Sequence, residues 1–260
     1  MFFDLQKAPM LKRISALILD LIVLSIVVTG FSLLFSYLIK YDADAEALEE
    51  KTSYYQTLYN VSASDEYASK VESDPEIRAQ YEEYLKAVYD DEEITRLNNL
   101  VMQKLLTILS LGFFCGYLVC EFFIPIALKD GRTIGKRIFG ICLMQSNHTR
   151  VRIPSLFART ILGKYAIETM VPVFVIHMIV FFNIGMVGTA VLILLLLLQV
   201  VVCSLTQGNL VIHDLISATV CVDEKSQMIF DDEAAKEEYR KKLEEMDERG
   251  LYESSTRECN

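Results

Sequence analysis

The sequence predicts an all-α membrane protein: a four-transmembrane-helix bundle with an acidic helical extracytoplasmic loop, a small cytoplasmic β-hairpin element and a C-terminal cytoplasmic helix. Three observations lead there. Hydrophobic residues make up 52% of the 260 positions, and mean hydropathy is +0.31. The apolar residues gather in long runs rather than in periodic stripes. Charge is segregated: residues 41–100 hold sixteen acids against five bases, whereas residues 129–164 hold eight bases against one acid.

The first run, residues 14–39, follows an N-terminal segment, 1–13, that carries Lys7, Lys12 and Arg13. Its length exceeds the roughly 20 residues that cross a ~30 Å hydrocarbon core, and it is too long for a signal-peptide core. One charge, Asp20, stands about two turns inside it. Arg13 precedes Asp20 by seven residues, so both lie on one helical face.

Residues 40–104 form the acidic loop. Ser73-Asp74-Pro75-Glu76 reads as a helix start, with a capping side chain and proline at the first helical position. Tyr81, Tyr84, Leu85 and Val88 recur at helical spacing as a packing stripe. Neither proline nor glycine interrupts the chain between Glu76 and Gly112, which predicts a helix rising from the loop into the second span, residues 105–128. That span contains Glu121 and Pro125.

The basic segment 129–164 is assigned to the cytoplasmic side because lysine and arginine are retained there, and the acidic loop is then outside. Within it, residues 138–143 and 150–153 flank Gln145-Ser146-Asn147-His148 in the pattern of a β-hairpin, which residues 218–222 are β-prone enough to join. The third span, 165–182, carries Glu168, Pro172 and His177. A turn at Asn183 leads into the fourth, 184–205, where Thr189, Gln199 and Ser204 are the polar interruptions. The tail, 206–260, returns to the cytoplasm and contains a charged helix over 232–249, stopped by Gly250.

Counting along each span, Asp20, Glu121, Glu168 and Gln199 fall within roughly 5–11 Å of the cytoplasmic helix ends. An ionised carboxylate in hydrocarbon costs about 2.5–3.5 kcal/mol, so the acids should face the bundle interior and find partners. Two readings follow. The acids line an ion, proton or polar-solute site open to the cytoplasm, or Asp20 and Glu121 are internal glue bonded to Arg13, Arg137 or loop backbone. Glu168, nearest its helix end and four residues after Lys164, is read as a surface residue. His177 reads as packing and Pro172 as a kink.

Other chemistries lack support. The cysteines Cys115, Cys120, Cys142, Cys203, Cys221 and Cys259 form neither a disulfide framework nor a metal-ligand spacing. No grouping of serine, histidine and acid suggests hydrolysis, so no enzyme and no cofactor is expected. A net charge of −10 argues against nucleic acid. The glycines of residues 131–140 do not have P-loop spacing, so nucleotide is not expected either.

Three blocks share one pattern. Lys12-Arg13-Ile14-Ser15-Ala16-Leu17-Ile18-Leu19-Asp20 resembles the opening of RDD-family membrane proteins. Gly131-Arg132-Thr133-Ile134-Gly135-Lys136-Arg137-Ile138-Phe139-Gly140 resembles the family's G-x-T-x-G-K-R-x-x-G stretch. His213-Asp214-Leu215-Ile216-Ser217-Ala218-Thr219-Val220 is similar to its closing segment. Together they frame residues 8–222 in the expected order. The resemblance implies that Arg13, Asp20 and Asp214 are signature residues, and that the family is membrane-embedded, chiefly bacterial and linked to transport. Two departures stand out: the long acidic loop, and Asn209 where a basic residue often precedes the His-Asp pair.

The expected site therefore combines the intramembrane charges Arg13, Asp20, Glu121 and Asp214 with the motif residues Gly131, Thr133, Gly135, Lys136, Arg137, Gly140, His213 and Thr219. Arg13 or Arg137 is expected to pair with Asp214 or Asp20 and latch the cytoplasmic helix ends. The expected function is a transport-related component in the cell membrane, handling an ion or small polar solute and possessing the bilayer as its first partner. Four helices leave little room for a solvated path, which favours a homo-oligomer. The alternative is a non-catalytic membrane adaptor that binds a membrane-protein complex through its acidic loop and charged tail.

Overall fold

The computed structural model describes residues 6–128, 130–181, 184–206 and 210–248. The expected turn at Asn183, the departure at Asn209, the stop at Gly250 and the thiol of Cys259 lie outside these residues. In chain order the elements are α1 (Met10–Leu38), α2 (Tyr41–Leu58), α3 (Asp65–Ser73), α4 (Pro75–Asp90), α5 (Glu92–Ala127), α6 (Ile134–Ile138), β1 (Ile141–Gln145), α7 (Ile153–Phe181), α8 (Gly185–Leu205), α9 (Ile212–Ser217), β2 (Thr219–Asp223) and α10 (Glu233–Glu248).

Four of these helices, α1, α5, α7 and α8, are long and apolar enough to cross a membrane. The shortest, α8, has 21 residues and spans about 31 Å, enough for a ~30 Å core. Leu17, Ile26, Leu33, Leu194 and Leu196 remain exposed on their surfaces. In water such patches would drive association; in a bilayer they meet lipid tails.

Two boundaries differ from the sequence reading. The second span is the end of a helix that starts at Glu92, and the expected continuous helix from Glu76 is broken at Asp91. Asp91 takes an extended backbone conformation, and its carboxylate accepts from Glu93 N (2.8 Å) and Ile94 N (3.2 Å), capping α5. The third span begins at Ile153, with Pro154 in its first turn where a missing N–H costs nothing. Arg159 and Lys164, expected in a basic loop, are therefore helical.

The expected hairpin is also corrected. β1 pairs antiparallel with β2, from Ile141 opposite Asp223 to Gln145 opposite Thr219. Arg150 contributes only an isolated bridge to Met144. Residues 219–222 are buried throughout, a burial that the arginine-bearing 150–153 stretch would not match.

The chain divides into two compact units, and the division falls inside α1 and α5. The unit of Val28–Gly112 contains the acid-rich helices. Ser64 caps α3 and Asp74 caps α4, with Pro75 in its first turn. Tyr84 is buried beside half-buried Tyr81, Leu85 and Val88, and Ile94, Leu97, Val101 and Ile108 are buried along α5. Lys104 donates from Nζ to the Ile39 (2.6 Å) and Lys40 (3.2 Å) carbonyls and pairs with Asp44. It thereby satisfies carbonyls that the end of α1 leaves unpaired.

The other unit holds the chain up to Val27 and from Phe113 onward. Its core joins Ala8 and Ala16 to Ile141, Leu143, Leu156 and Cys221. The helix α10 starts at an Asp232 cap, which accepts from Ala235 N (2.8 Å). Its Lys236 donates to the Asn147 carbonyl (2.8 Å), and Leu243 is buried, so one face of this charged helix is docked.

Candidate functional site

Two stretches of the spans depart from α-helical bonding. In α5 the segment Leu118–Phe123, and in α7 the segment Ala158–Met170, are π-helical. Ile124 N donates to Val119 O, and Val171 N to Ala166 O, each reaching five residues back. Glu121, Arg159, Lys164 and Glu168 all lie on these segments.

Asp20, on α1, is seated by the glycine-rich block. Its Oδ2 accepts from Thr133 Oγ1 (2.5 Å) and its Oδ1 from Gly135 N (2.7 Å). Thr133 is also the cap of α6, accepting from Lys136 N (3.4 Å). A side chain at position 135 would run into the Ala16 carbonyl oxygen and Asp20 itself, so only glycine lets α6 approach α1 this closely. Gly131 and Gly140 bracket the block with φ of 67° and 63°.

Asp214, at the start of α9, is fully buried. Arg159 Nη1 pairs with its Oδ1 and also donates to Thr219 Oγ1 (2.6 Å). Val211 N donates to Asp214 Oδ2 (3.2 Å), and Arg13 Nη2 lies 3.9 Å from the same oxygen. Ser217 Oγ and Thr219 Oγ1 are hydrogen-bonded at 2.7 Å. One carboxylate thus ties α1, α7, α9 and the head of β2.

Glu121 is met by Lys164, whose Nζ donates to Oε1 at 2.5 Å, while Thr160 Oγ1 donates to the Glu121 carbonyl (3.1 Å). Glu168 is not the surface residue expected. Its carboxylate accepts from His213 N (3.2 Å) and lies 2.8 Å from His213 Nδ1. Burial, with Arg159, Lys164, Lys136 and Arg13 around it, holds the His213 pKa well below its ordinary 6.5. The ring is therefore neutral at pH 7 and donates Nδ1–H to Glu168.

These groups surround a cavity of about 260 Å³. Four cations line it, Arg13, Lys136, Arg159 and Lys164, with three carboxylates, Asp20, Glu168 and Asp214. Each carboxylate already accepts the bonds described above. Lys136 is different: it is only 9% exposed, yet no carboxylate lies within 4.0 Å of its Nζ among the described residues. Burial and the nearby charge of Lys164 lower its pKa from the ordinary 10.5, offset in part by Glu121.

Of the expected site residues, Arg13, Asp20, Thr133, Gly135, Lys136, His213, Asp214 and Thr219 meet here, and Glu121 reaches the group through Lys164. Arg137 does not: its side chain is half exposed and lies 3.8 Å from Asp130. The expected latch is Arg13 to Asp214, at long range, whereas Asp20 takes hydroxyl and backbone donors. Arg159, Lys164 and Thr160 were missed as site residues, although the helix-start proline at 154 was a sequence signal that they lie on a helix.

A family model described as the RDD family matches residues 7–218. No curated protein and no solved structure matches the chain. The match covers the first two sequence blocks, most of the third and every residue that lines the cavity except Cys221, and the chain belongs to the RDD family.

Proposed function

We propose that this chain is a transport-related membrane component, and that the cavity between α1, α6, α7 and α9 receives an ion or small polar solute from the cytoplasmic side. One observation carries the reading: a cavity of about 260 Å³ lies among seven charged side chains, five of them on helices apolar enough to span a bilayer. Charges in that setting are rare and costly, and they mark solute and ion paths. The excess of lysine and arginine over residues 129–164 supports a cytoplasmic placement of that end and of both termini.

Reconstitution of the full chain into liposomes tests it. Uptake of an ion or polar solute that is reduced by Asp20→Asn is the expected result. Protein that is folded by thermal melting yet moves no solute and shows no proton coupling overturns the reading.

A second reading, a membrane adaptor, is favoured by Tyr54, Leu58 and Tyr89, which are exposed among the acids of the Val28–Gly112 unit and suit a partner with basic and apolar groups. Copurification in gentle detergent, lost on Tyr89→Ser, is its test.

A further inference from the structure

The charged cavity has an apolar neighbour. A groove of about 560 Å³ lies along α7 and α8, lined by Pro172, Leu192, Leu195 and Leu196 among others. Its size falls within the ~300–1,000 Å³ of small-molecule sites. Glu168, Gln199, Cys203 and Val211 line both spaces, so the groove and the cavity share a wall. From Cys203 to Leu192 the groove follows eleven residues of α8, about 16 Å, away from the charged end and into the span.

Two cations at the charged end stand apart from the paired ones. Arg159 is 2% exposed, and its Nε, although buried, has no hydrogen-bond acceptor. Lys136 is the buried lysine without a carboxylate within 4.0 Å among the described residues. A buried donor without an acceptor costs about 1–3 kcal/mol, more when charged, so an acceptor-rich anion would remove a defect that the protein alone leaves. The carboxylates of the cavity are occupied by Thr133, Gly135, Arg159, Val211 and His213, and they do not neutralise Lys136. Burial first, and then the charge of Lys164, depresses the pKa of this lysine.

We infer that the cavity and groove together bind an anionic phospholipid, its phosphate at Lys136 and Arg159 and one acyl chain between α7 and α8. The charge order matches: cations stand at the helix ends, where a headgroup lies, and apolar side chains continue toward mid-membrane. This deepens the proposed function and rests on its premise that the cavity is a ligand site.

Thermal unfolding of the purified full chain in uncharged detergent provides the test, with phosphatidylglycerol, phosphatidylcholine and inorganic phosphate added separately. At a hundredfold excess over its dissociation constant, phosphatidylglycerol should raise Tm by roughly 5–10 °C, and phosphatidylcholine should raise it far less. Lys136→Met should weaken phosphatidylglycerol binding roughly tenfold to a hundredfold. Leu195→Trp, which fills the groove and leaves the cations in place, should weaken it as well. Equal stabilisation by inorganic phosphate, unaffected by Leu195→Trp, would leave a soluble-anion site, overturning the lipid and sparing the proposed function. Equal effects of both lipids, unchanged by Lys136→Met, would mean only ordinary lipid contact and overturn the inference. No stabilisation by any of the three would remove the premise too.

Discussion

Arg159 and Asp214 form the most deeply buried ion pair among the described residues, joining the π segment of α7 to the first turn of α9. Such a pair is costly to desolvate, and breaking it is worse than never having made it. Asp214→Asn or Arg159→Met should each destabilise the protein by about 3–5 kcal/mol, by leaving a buried charge alone. The double variant Arg159→Met, Asp214→Asn should recover much of that loss. Thermal unfolding of the four proteins measures the coupling, and additive losses would deny it.

The seat of Asp20 makes a second prediction. Asp20→Asn offers one acceptor oxygen where two donors, Thr133 Oγ1 and Gly135 N, now converge. The expected cost is about 1.5–3 kcal/mol. Thr133→Val removes one of the same bonds, so the double variant should lose less than the two singles together. The difference in melting between singles and double is the measurement.

Lys136 should behave in the opposite way. Lys136→Met removes a buried cation that has no close carboxylate, and should stabilise the ligand-free protein by on the order of 1 kcal/mol or more. Because the folded-state pKa lies below 10.5, the unfolded chain holds more protons between those two values. The wild-type protein should therefore gain stability as pH rises toward 10.5, and the variant should lack this component of the gain. Melting curves between pH 8 and pH 10.5 report both effects.

In the acid-rich unit, hydrogen bonds from Ile94 N and from the Tyr55 hydroxyl lower the pKa of Asp91 below its ordinary 3.8. Its stabilising contribution is complete above pH 3.8 and is lost as pH falls through the lower folded value. Asp91→Ala should weaken the start of α5 and make cleavage by protease around residues 88–95 faster at pH 7. Acidification should have the same effect on the wild-type chain and little further effect on the variant.

The proposed sidedness is tested by single cysteines. Lys70→Cys and Arg150→Cys place thiols on exposed positions, and a membrane-impermeant maleimide should label them from opposite faces of the bilayer. Labelling from one face would reverse the reading of the loops.

How much of this was legible follows from which residues stand out against their surroundings. Asp20 was visible because a single acid inside an apolar run has to be neutralised, but the sequence left Arg13, Arg137 and loop backbone open as its partners, and Thr133 Oγ1 and Gly135 N take it. Arg159 and Lys164 were not, because a buried, paired arginine contributes to a positive stretch just as a solvated one does. The break at Asp91 uses only an aspartate cap, without proline or glycine. The π segments have no residue signature of their own, although they carry the paired Glu121 of α5 and Lys164 of α7. The β1 partner was ambiguous because both 150–153 and 218–222 were short and β-prone. Burial decided between them.

The bonds around Asp20 also set an order of events during synthesis. Its two donors lie 113 and 115 residues downstream, so the first span has to enter the membrane while its acid is still unmatched. The insertion penalty of about 2.5–3.5 kcal/mol is offset in that interval by the neighbouring leucines and isoleucines, each favouring insertion by about 0.3–0.6 kcal/mol. A nascent chain that terminates before residue 133 therefore exposes an unsatisfied carboxylate to lipid, and membrane quality control has a physical handle by which to recognise it.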